Sequence, residues 1–146
     1  MEVKQIEAKD TYQIRHSMLR KDMPIETCYF DGDHDDNTFH LGAYKDNQLI
    51  SVASFFLKNS PHFPEEYQYQ LRGMATLESF QGKGSSSALL RTAFPIIKRN
   101  HVNLLWCNAR VGAVGFYEKV GFELASDIFE IENVGPHYLM KKTIVL

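Results

Sequence analysis

Scarcity sets the first limits on this chain. Cysteine occurs twice, at Cys28 and Cys107, too few for the disulfide framework of a small secreted domain, so two reduced thiols of a cytosolic protein are expected. No Cys and His cluster has metal-site spacing, and no metal is expected. No apolar run is long enough to cross a bilayer. The longest, Leu49 to Leu57, is interrupted by Ser51 and Ser54 and has about half the ~20 residues a membrane helix needs, so it reads as a buried strand. Residues Met1 to Glu7 carry charges where an export signal needs an apolar stretch. Lys and Arg form no dense patch, and the formal net charge is -2, which argues against nucleic acid as a partner. Repeats, low-complexity tracts and linkers are missing too. The expectation is a cytoplasmic protein with no nucleic-acid and no membrane partner.

The remaining composition is that of a packed protein. Hydrophobic residues make up 44% and charged residues 23%, which excludes disorder, and 146 residues suit one core better than two, so a single domain over 1–146 is expected. Val3 to Ala8 alternates as a strand. Asp10 or Thr11 can cap a helix in which Ile14 and Met18 share a face, with Pro24 beyond its end. From Asp22 to Tyr44 there is no Lys or Arg, but the segment holds Asp22, Glu26, Asp31, Asp33, Asp35 and Asp36, an acidic loop. Thr38 to Tyr44 and Leu49 to Leu57 read as a hairpin joined by Lys45 to Gln48, and Tyr67 to Thr76 as a third strand.

After Gln81-Gly-Lys-Gly-Ser-Ser86 the apolar period changes from strand to helix, with Leu89, Leu90, Ala93, Phe94 and Ile97 on one face. Pro95 predicts a kink or break in the last turns. Asn103 to Cys107 reads as a strand, Ala113 to Val120 as a short helix ended by Gly121, and Phe122 to Ile131 and His137 to Ile144 as the last two strands.

The Gln81 to Ser86 turn carries the first chemical signal. A helix entered from a glycine turn presents unpaired N–H groups and the positive end of its dipole, which suit a phosphate or diphosphate. Gly82 and Gly84 allow close approach to the backbone, and Ser85 and Ser86 can cap the helix or donate to the same anion. A plain Gly/Ser helix start has the same pattern. A P-loop does not fit, because Lys83 precedes the last glycine, and a dinucleotide fingerprint needs a further glycine.

Gln81-x-x-Gly84-x-Ser86 after a strand resembles the acetyl-coenzyme A motif of GNAT superfamily N-acetyltransferases. Downstream, Ala113-Val-Gly-Phe-Tyr117-Glu-Lys-Val-Gly-Phe122 is similar to that family's second signature. The resemblance implies a mixed α/β fold: a mainly antiparallel sheet of six or seven strands with helices on both faces. It also implies acetyl-coenzyme A as co-substrate, held where two strands splay. Met74, Ala75 and Thr76 would pair with the pantetheine arm, and Gln81, Gly82, Lys83, Gly84, Ser85 and Ser86 would hold the diphosphate. Ser86 stands where Gly or Ala is usual, and Arg110 where Asn often contacts the cofactor. Arg110 could instead pair with a phosphate.

Acetyl transfer to an amine needs a neutral nucleophile, a stabilised oxyanion and a proton for the departing thiolate. The resemblance gives Tyr117 the role of general acid facing the sulfur, with its ionisation expected in the alkaline limb of the pH profile. A backbone N–H near Ala75 would serve the oxyanion. Glu78, beside the cofactor turn, is the candidate base, with Glu26 and Asp31 as other acidic candidates. The acceptor is expected to be a primary amine of a small molecule or peptide, and the acidic run favours a cationic one. A homodimer is left open.

Other residues carry weaker signals. Asp31-x-Asp33-x-Asp35 resembles the start of a calcium loop, but Asp36 and Gly42 stand where Gly and Glu are required. Cys107 reads as an inert core thiol and His137 as a structural residue at a strand start. The alternatives to an N-acetyltransferase are a non-catalytic acyl-coenzyme A binding module and an α/β nucleotide-binding protein.

Overall fold

The computed structural model describes residues 1–145. In chain order the elements are β1 (Glu2–Ile6), α1 (Ala8–Leu19), β2 (Phe39–Lys45), β3 (Gln48–Leu57), β4 (Tyr69–Thr76), α2 (Ser85–Arg99), β5 (Leu104–Arg110), α3 (Val114–Lys119), β6 (Glu123–Leu124), β7 (Phe129–Ile131) and β8 (Gly135–Thr143). Short 3-10 turns cover Ile25–Cys28, Glu78–Phe80 and Val111–Ala113. The strands hydrogen-bond in the order β1-β2-β3-β4-β5-β8-β6, with β7 also on β8. The ladders β1 to β2, β2 to β3, and β8 to β5, β6 and β7 are antiparallel, while β4 and β5 run parallel. The mixed, mainly antiparallel sheet is as expected, with eight strands rather than six or seven. The chain forms two compact units, one of Met1–Leu57 with Leu71–Ala93, the other of Lys58–Gln70 with the residues from Phe94 onward.

In the first unit, Asp46 and Asn47 both have positive φ, 50° and 65°, the geometry of a two-residue turn whose twist suits a hairpin, and they set Lys45 opposite Gln48. Alternation along β3 sends Val52, Ser54 and Phe56 to one face and Ser51, Ala53 and Phe55 to the other. All six are buried, because both faces are covered. Ile14 of α1 clusters with Val52 and Ala75 on the first face. On the other face Thr76 Oγ1 lies 2.7 Å from Ser51 Oγ and 3.3 Å from Ser86 Oγ at the start of α2.

Helix α1 starts earlier than expected. Its N-cap is Glu7 rather than Asp10 or Thr11, and the Asp10 carboxylate instead accepts the Glu7 N–H at 3.0 Å, closing a capping box.

In the second unit the parallel pairing consists of Tyr69 with Leu105 and Gln70 with Trp106, and β8 runs along β5 from Thr143 opposite Leu104 to His137 opposite Arg110. One expectation is corrected here and another is narrowed. Phe122 to Ile131 is not one strand: Ser126 Oγ accepts the Leu139 N–H at 2.9 Å, so a side chain takes a ladder position and β6 and β7 separate around it. Pro95 does not break α2, which continues to Arg99. Arg91, whose carbonyl loses its partner to Pro95, and Pro95 itself are both exposed, so water can satisfy that carbonyl.

Candidate active site

The turn before α2 is shaped by backbone conformation. Gly82 and Gly84 have φ of 73° and 89°, the left-handed region that favours glycine, and a Cβ at either would meet no protein atom within 4 Å. The glycines are therefore required by backbone conformation, and the space above them is open. The Ala88 N–H bonds the Gly84 carbonyl at 3.0 Å, which opens the helix at Ser85. Among the described residues, no protein acceptor pairs with the N–H groups of residues 82–87. Six successive donors at the positive end of a 15-residue helix fit a diphosphate.

The side chains of this turn do less than the sequence suggested. Ser85 is buried and its hydroxyl donates to the Met1 sulfur at 3.4 Å, while the Ser86 hydroxyl faces Thr76, so neither caps the helix. Gln81 Nε2 donates to the Thr76 carbonyl at 3.1 Å and fastens the turn to the end of β4. Lys83 is exposed.

On β4 the pairing with β5 stops after Gln70, so Met74, Ala75 and Thr76 have no β5 partner. Ser51 Oγ donates to the Ala75 carbonyl at 3.1 Å and the Leu77 N–H bonds Ile50 at 2.9 Å, which holds the strand from the β3 side. Glu78 follows in an exposed 3-10 turn. Its side chain makes no hydrogen bond or ion pair among the described residues.

In the second unit, Tyr117 is set by the end of α3. Gly121, with φ 98°, lets the Gly121 N–H bond Glu118 at 3.1 Å and the Phe122 N–H bond Tyr117 at 3.0 Å, a Schellman closure. The Tyr117 ring packs edge-on against Phe116 and Phe122, each 5.2 Å away. Burial, then the adjacent Cys107, push Tyr117 well above the usual tyrosine range. Burial likewise pushes Cys107 up to about 12 against the opposing pull of the neighbouring Tyr117 hydroxyl, so Cys107 is a protonated core thiol. Burial therefore moves any alkaline limb that reflects Tyr117 ionisation to higher pH. Arg110 is exposed at the end of β5, opposite buried His137, whose Nδ1 bonds the Gly135 carbonyl at 2.8 Å.

Residues 2–122 match the Acetyltransferase (GNAT) family. The chain belongs to this family. It is 41% identical over 144 residues to the uncharacterized N-acetyltransferase YitI of Bacillus subtilis (strain 168), covering 99% of this chain and 97% of that protein. Among solved structures, an aminoglycoside 6'-N-acetyltransferase complexed with coenzyme A aligns with a TM-score of 0.78 at 10% identity, covering 100% of this chain and 98% of that one. The ribosomal-protein-S18-alanine N-acetyltransferase of Escherichia coli aligns at 0.74 with 17% identity, covering 99% and 94%. At these identities the structures establish the fold, and family membership makes the chain an acetyltransferase.

This GNAT chain also holds a buried polar network that the sequence reading missed. Arg15 is fully buried and donates to Asp33 Oδ2 and Oδ1 at 2.8 and 2.9 Å, to the Cys28 carbonyl at 2.8 Å and to Ser54 Oγ at 2.8 Å. Ser54 Oγ lies 2.6 Å from His40 Nδ1, and His40 Nε2 lies 2.9 Å from the Asp33 carbonyl, which suits a neutral ring protonated at Nε2. Burial pulls the His40 pKa down despite Asp33 beside it. For Asp33, burial works against ionisation, but the Arg15 hydrogen bonds, the Phe30 N–H and the Arg15 charge outweigh it and hold the carboxyl below the usual value. Asp33 is thus turned inward onto Arg15, neither a calcium ligand nor a surface charge offered to a cation. The signal was a lone Arg between apolar positions of α1, but its partners are distant in sequence.

Proposed function

We propose that this chain transfers an acetyl group from acetyl-coenzyme A to a primary amine of a small molecule or peptide, by direct attack with both substrates bound. The observation that carries the reading is the run of unpaired N–H groups over residues 82–87 beneath open space at two positive-φ glycines. The coenzyme A complex of the aminoglycoside 6'-N-acetyltransferase supports it. Acetyl-coenzyme A supplies a thioester whose carbonyl carbon is open to a neutral amine.

The chain's own groups then have distinct tasks. Residues 82–87 would hold the diphosphate through backbone N–H groups, with Arg110 as an exposed cation for a phosphate. Met74 to Thr76 would offer the unpaired β4 edge to the amide-bearing arm, and an N–H near Ala75 would receive the charge that develops on the carbonyl oxygen. Tyr117, protonated throughout the working range, would donate its proton or a hydrogen bond to the departing thiolate, whose ordinary pKa of about 8.5 makes full transfer from the phenol uphill. Glu78 is the carboxylate assigned to accept the amine proton.

A non-catalytic acyl-coenzyme A binder has one observation in its favour, the burial of the Tyr117 hydroxyl beside Cys107. Thiol release from acetyl-coenzyme A, measured against a mixed panel of amines with the acetylated product identified by mass, separates the two. Amine-dependent release supports the transferase. Tight coenzyme A binding without release for any amine supports the binder.

A further inference from the structure

We propose that the acceptor is an amine that also bears a carboxylate, and that the unpaired guanidinium of Arg72, with Arg20, forms the subsite for that carboxylate. This deepens the proposed transfer reaction and rests on it.

Three guanidinium groups gather on the ring of Phe30. The carbon of Arg15 lies 3.9 Å from the ring centroid, that of Arg72 4.5 Å and that of Arg20 5.7 Å. Only Arg15 has a carboxylate partner, the buried Asp33. Among the described residues, neither Arg72 nor Arg20 makes an ion pair, and neither guanidinium has a hydrogen-bond acceptor. Arg72 is nonetheless half-buried, with Phe56 5.7 Å away on its other side. Arg15 Nε is a further buried donor with no partner. Near this ring a single buried carboxylate faces three fixed positive charges, and exposed Asp31 is the next acidic group felt at Arg72. Burial, then the charges of Arg15 and Arg20, draw the Arg72 pKa down, the sign of a cation short of anions.

A guanidinium stacked on an aromatic face keeps its N–H edge free, and that edge matches a carboxylate in two parallel hydrogen bonds. An anion bound there would relieve the repulsion among the three cations.

The position on β4 connects this cluster to the reaction. Arg72 precedes Met74 and Ala75 by two and three residues, about 7 to 10 Å along a strand, a span that its own long side chain partly covers. Strict alternation would send Arg72 and Ala75 to opposite faces. Both lie on the α1 face instead, Ala75 against Ile14 and Arg72 over the ring that Arg15 also covers. The reversal coincides with Gly73, whose φ of 64° is that of a bulge. A Cβ there would come within 3.0 Å of Phe30 and 3.2 Å of Arg15 Nε, so the bulge also needs the missing side chain. The cation cluster and the segment assigned to the acetyl group therefore share one face, separated by the length of a small amino acid or short peptide. The acidic run from Asp22 to Asp36 had suggested a cationic acceptor, but its one buried member, Asp33, is already neutralised by Arg15.

The test compares the standard amino acids, each beside its carboxamide, as acceptors for wild type, Arg72→Gln and Arg72→Lys, with coenzyme A affinity as the control for folding. The expected result is a wild-type preference for the carboxylate of about 10-fold to 100-fold in kcat/KM, the scale of a charge-assisted bidentate contact. That preference should vanish in Arg72→Gln mainly through KM, and return in part in Arg72→Lys. A second arm measures binding of N-acetylated amino acids and of their carboxamides by calorimetry, with no turnover required. Binding that favours the carboxylate and is lost in Arg72→Gln supports the subsite even if no amine reacts, a result that would instead count against the transfer reaction. Equal use of carboxamides and carboxylates, or a preference unchanged in Arg72→Gln, overturns the subsite and leaves the transfer reaction standing. Selective binding of phosphate-bearing amines over carboxylates also overturns it.

Discussion

Replacing Tyr117 by Phe removes one hydroxyl and keeps the ring. The edge-on contacts to Phe116 and Phe122 at 5.2 Å need only the ring, so packing should survive. What is lost in the resting protein is one buried hydroxyl beside Cys107, a polar contact between neutral groups contributing at most about 0.5 to 1.5 kcal/mol. For a chain of this size that corresponds to a melting shift of about 1 to 6 °C. Turnover should change on another scale. A positioned proton donor contributes about 100-fold to 10,000-fold, so kcat should fall within that range while the affinity for acetyl-coenzyme A stays within about twofold. Steady-state kinetics, equilibrium binding and a melting curve on both proteins give the three numbers. The pH profile adds a fourth: because burial holds the phenol protonated, Tyr117 should contribute no alkaline limb below about pH 10. Activity within about threefold of wild type at every pH would refute the role and leave Tyr117 as a core aromatic. A wild-type limb near pH 8 that disappears in Tyr117→Phe would refute the environment described for the phenol.

Three further outcomes are expected. Gly84→Val forces a branched residue to φ 89°, so it should cost about 1 to 3 kcal/mol in denaturant unfolding and also weaken coenzyme A binding by more than about 10-fold; unchanged affinity would remove the turn from the cofactor site. Asp33→Asn leaves Arg15 buried and unpaired, so chemical denaturation should show a loss of about 3 to 5 kcal/mol, against a loss under about 1 kcal/mol if the pair is dispensable. Stability should also fall with acid in two stages. Neutral His40 has a lowered pKa, so its contribution is complete above about pH 6.5 and declines as pH falls through the folded value. Asp33 is lowered as well, so its contribution is complete above about pH 4 and declines further down; melting temperatures from pH 8 to pH 3 check both, and a flat profile contradicts them.

The parts of the fold that were legible in the sequence are those fixed by short-range chemistry. Gly82 and Gly84 announced a glycine turn before a helix, Gly121 a helix end, and Asp46-Asn47 a hairpin, because each depends on the φ values its own residues can reach. The short helix that carries Tyr117 was legible between Ala113 and Gly121. The network around Arg15 was not, since its partners Asp33 and Ser54 lie 18 and 39 residues away and nothing local to Arg15 identifies them. The break in Phe122 to Ile131 depended on whether the Ser126 hydroxyl or the backbone would pair with Leu139, a choice made by β8. Helix capping by the hydroxyls of Ser85 and Ser86 was not legible as excluded for a similar reason, because Met1 and Thr76 engage them instead. Arg72 was read only as part of a strand, and its lack of a partner emerged from the packing of Phe30 and Phe56 around it.

The most direct test of cofactor binding at the glycine turn and the β4 edge is residue-resolved hydrogen exchange with and without saturating coenzyme A. The N–H groups of residues 82–87 carry no protein acceptor, so they should exchange fast in the free protein. On binding, they should slow by at least about 10-fold together with amides in the Met74 to Thr76 segment. Binding of coenzyme A by calorimetry, with exchange at residues 82–87 and 74–76 unchanged, would contradict the site.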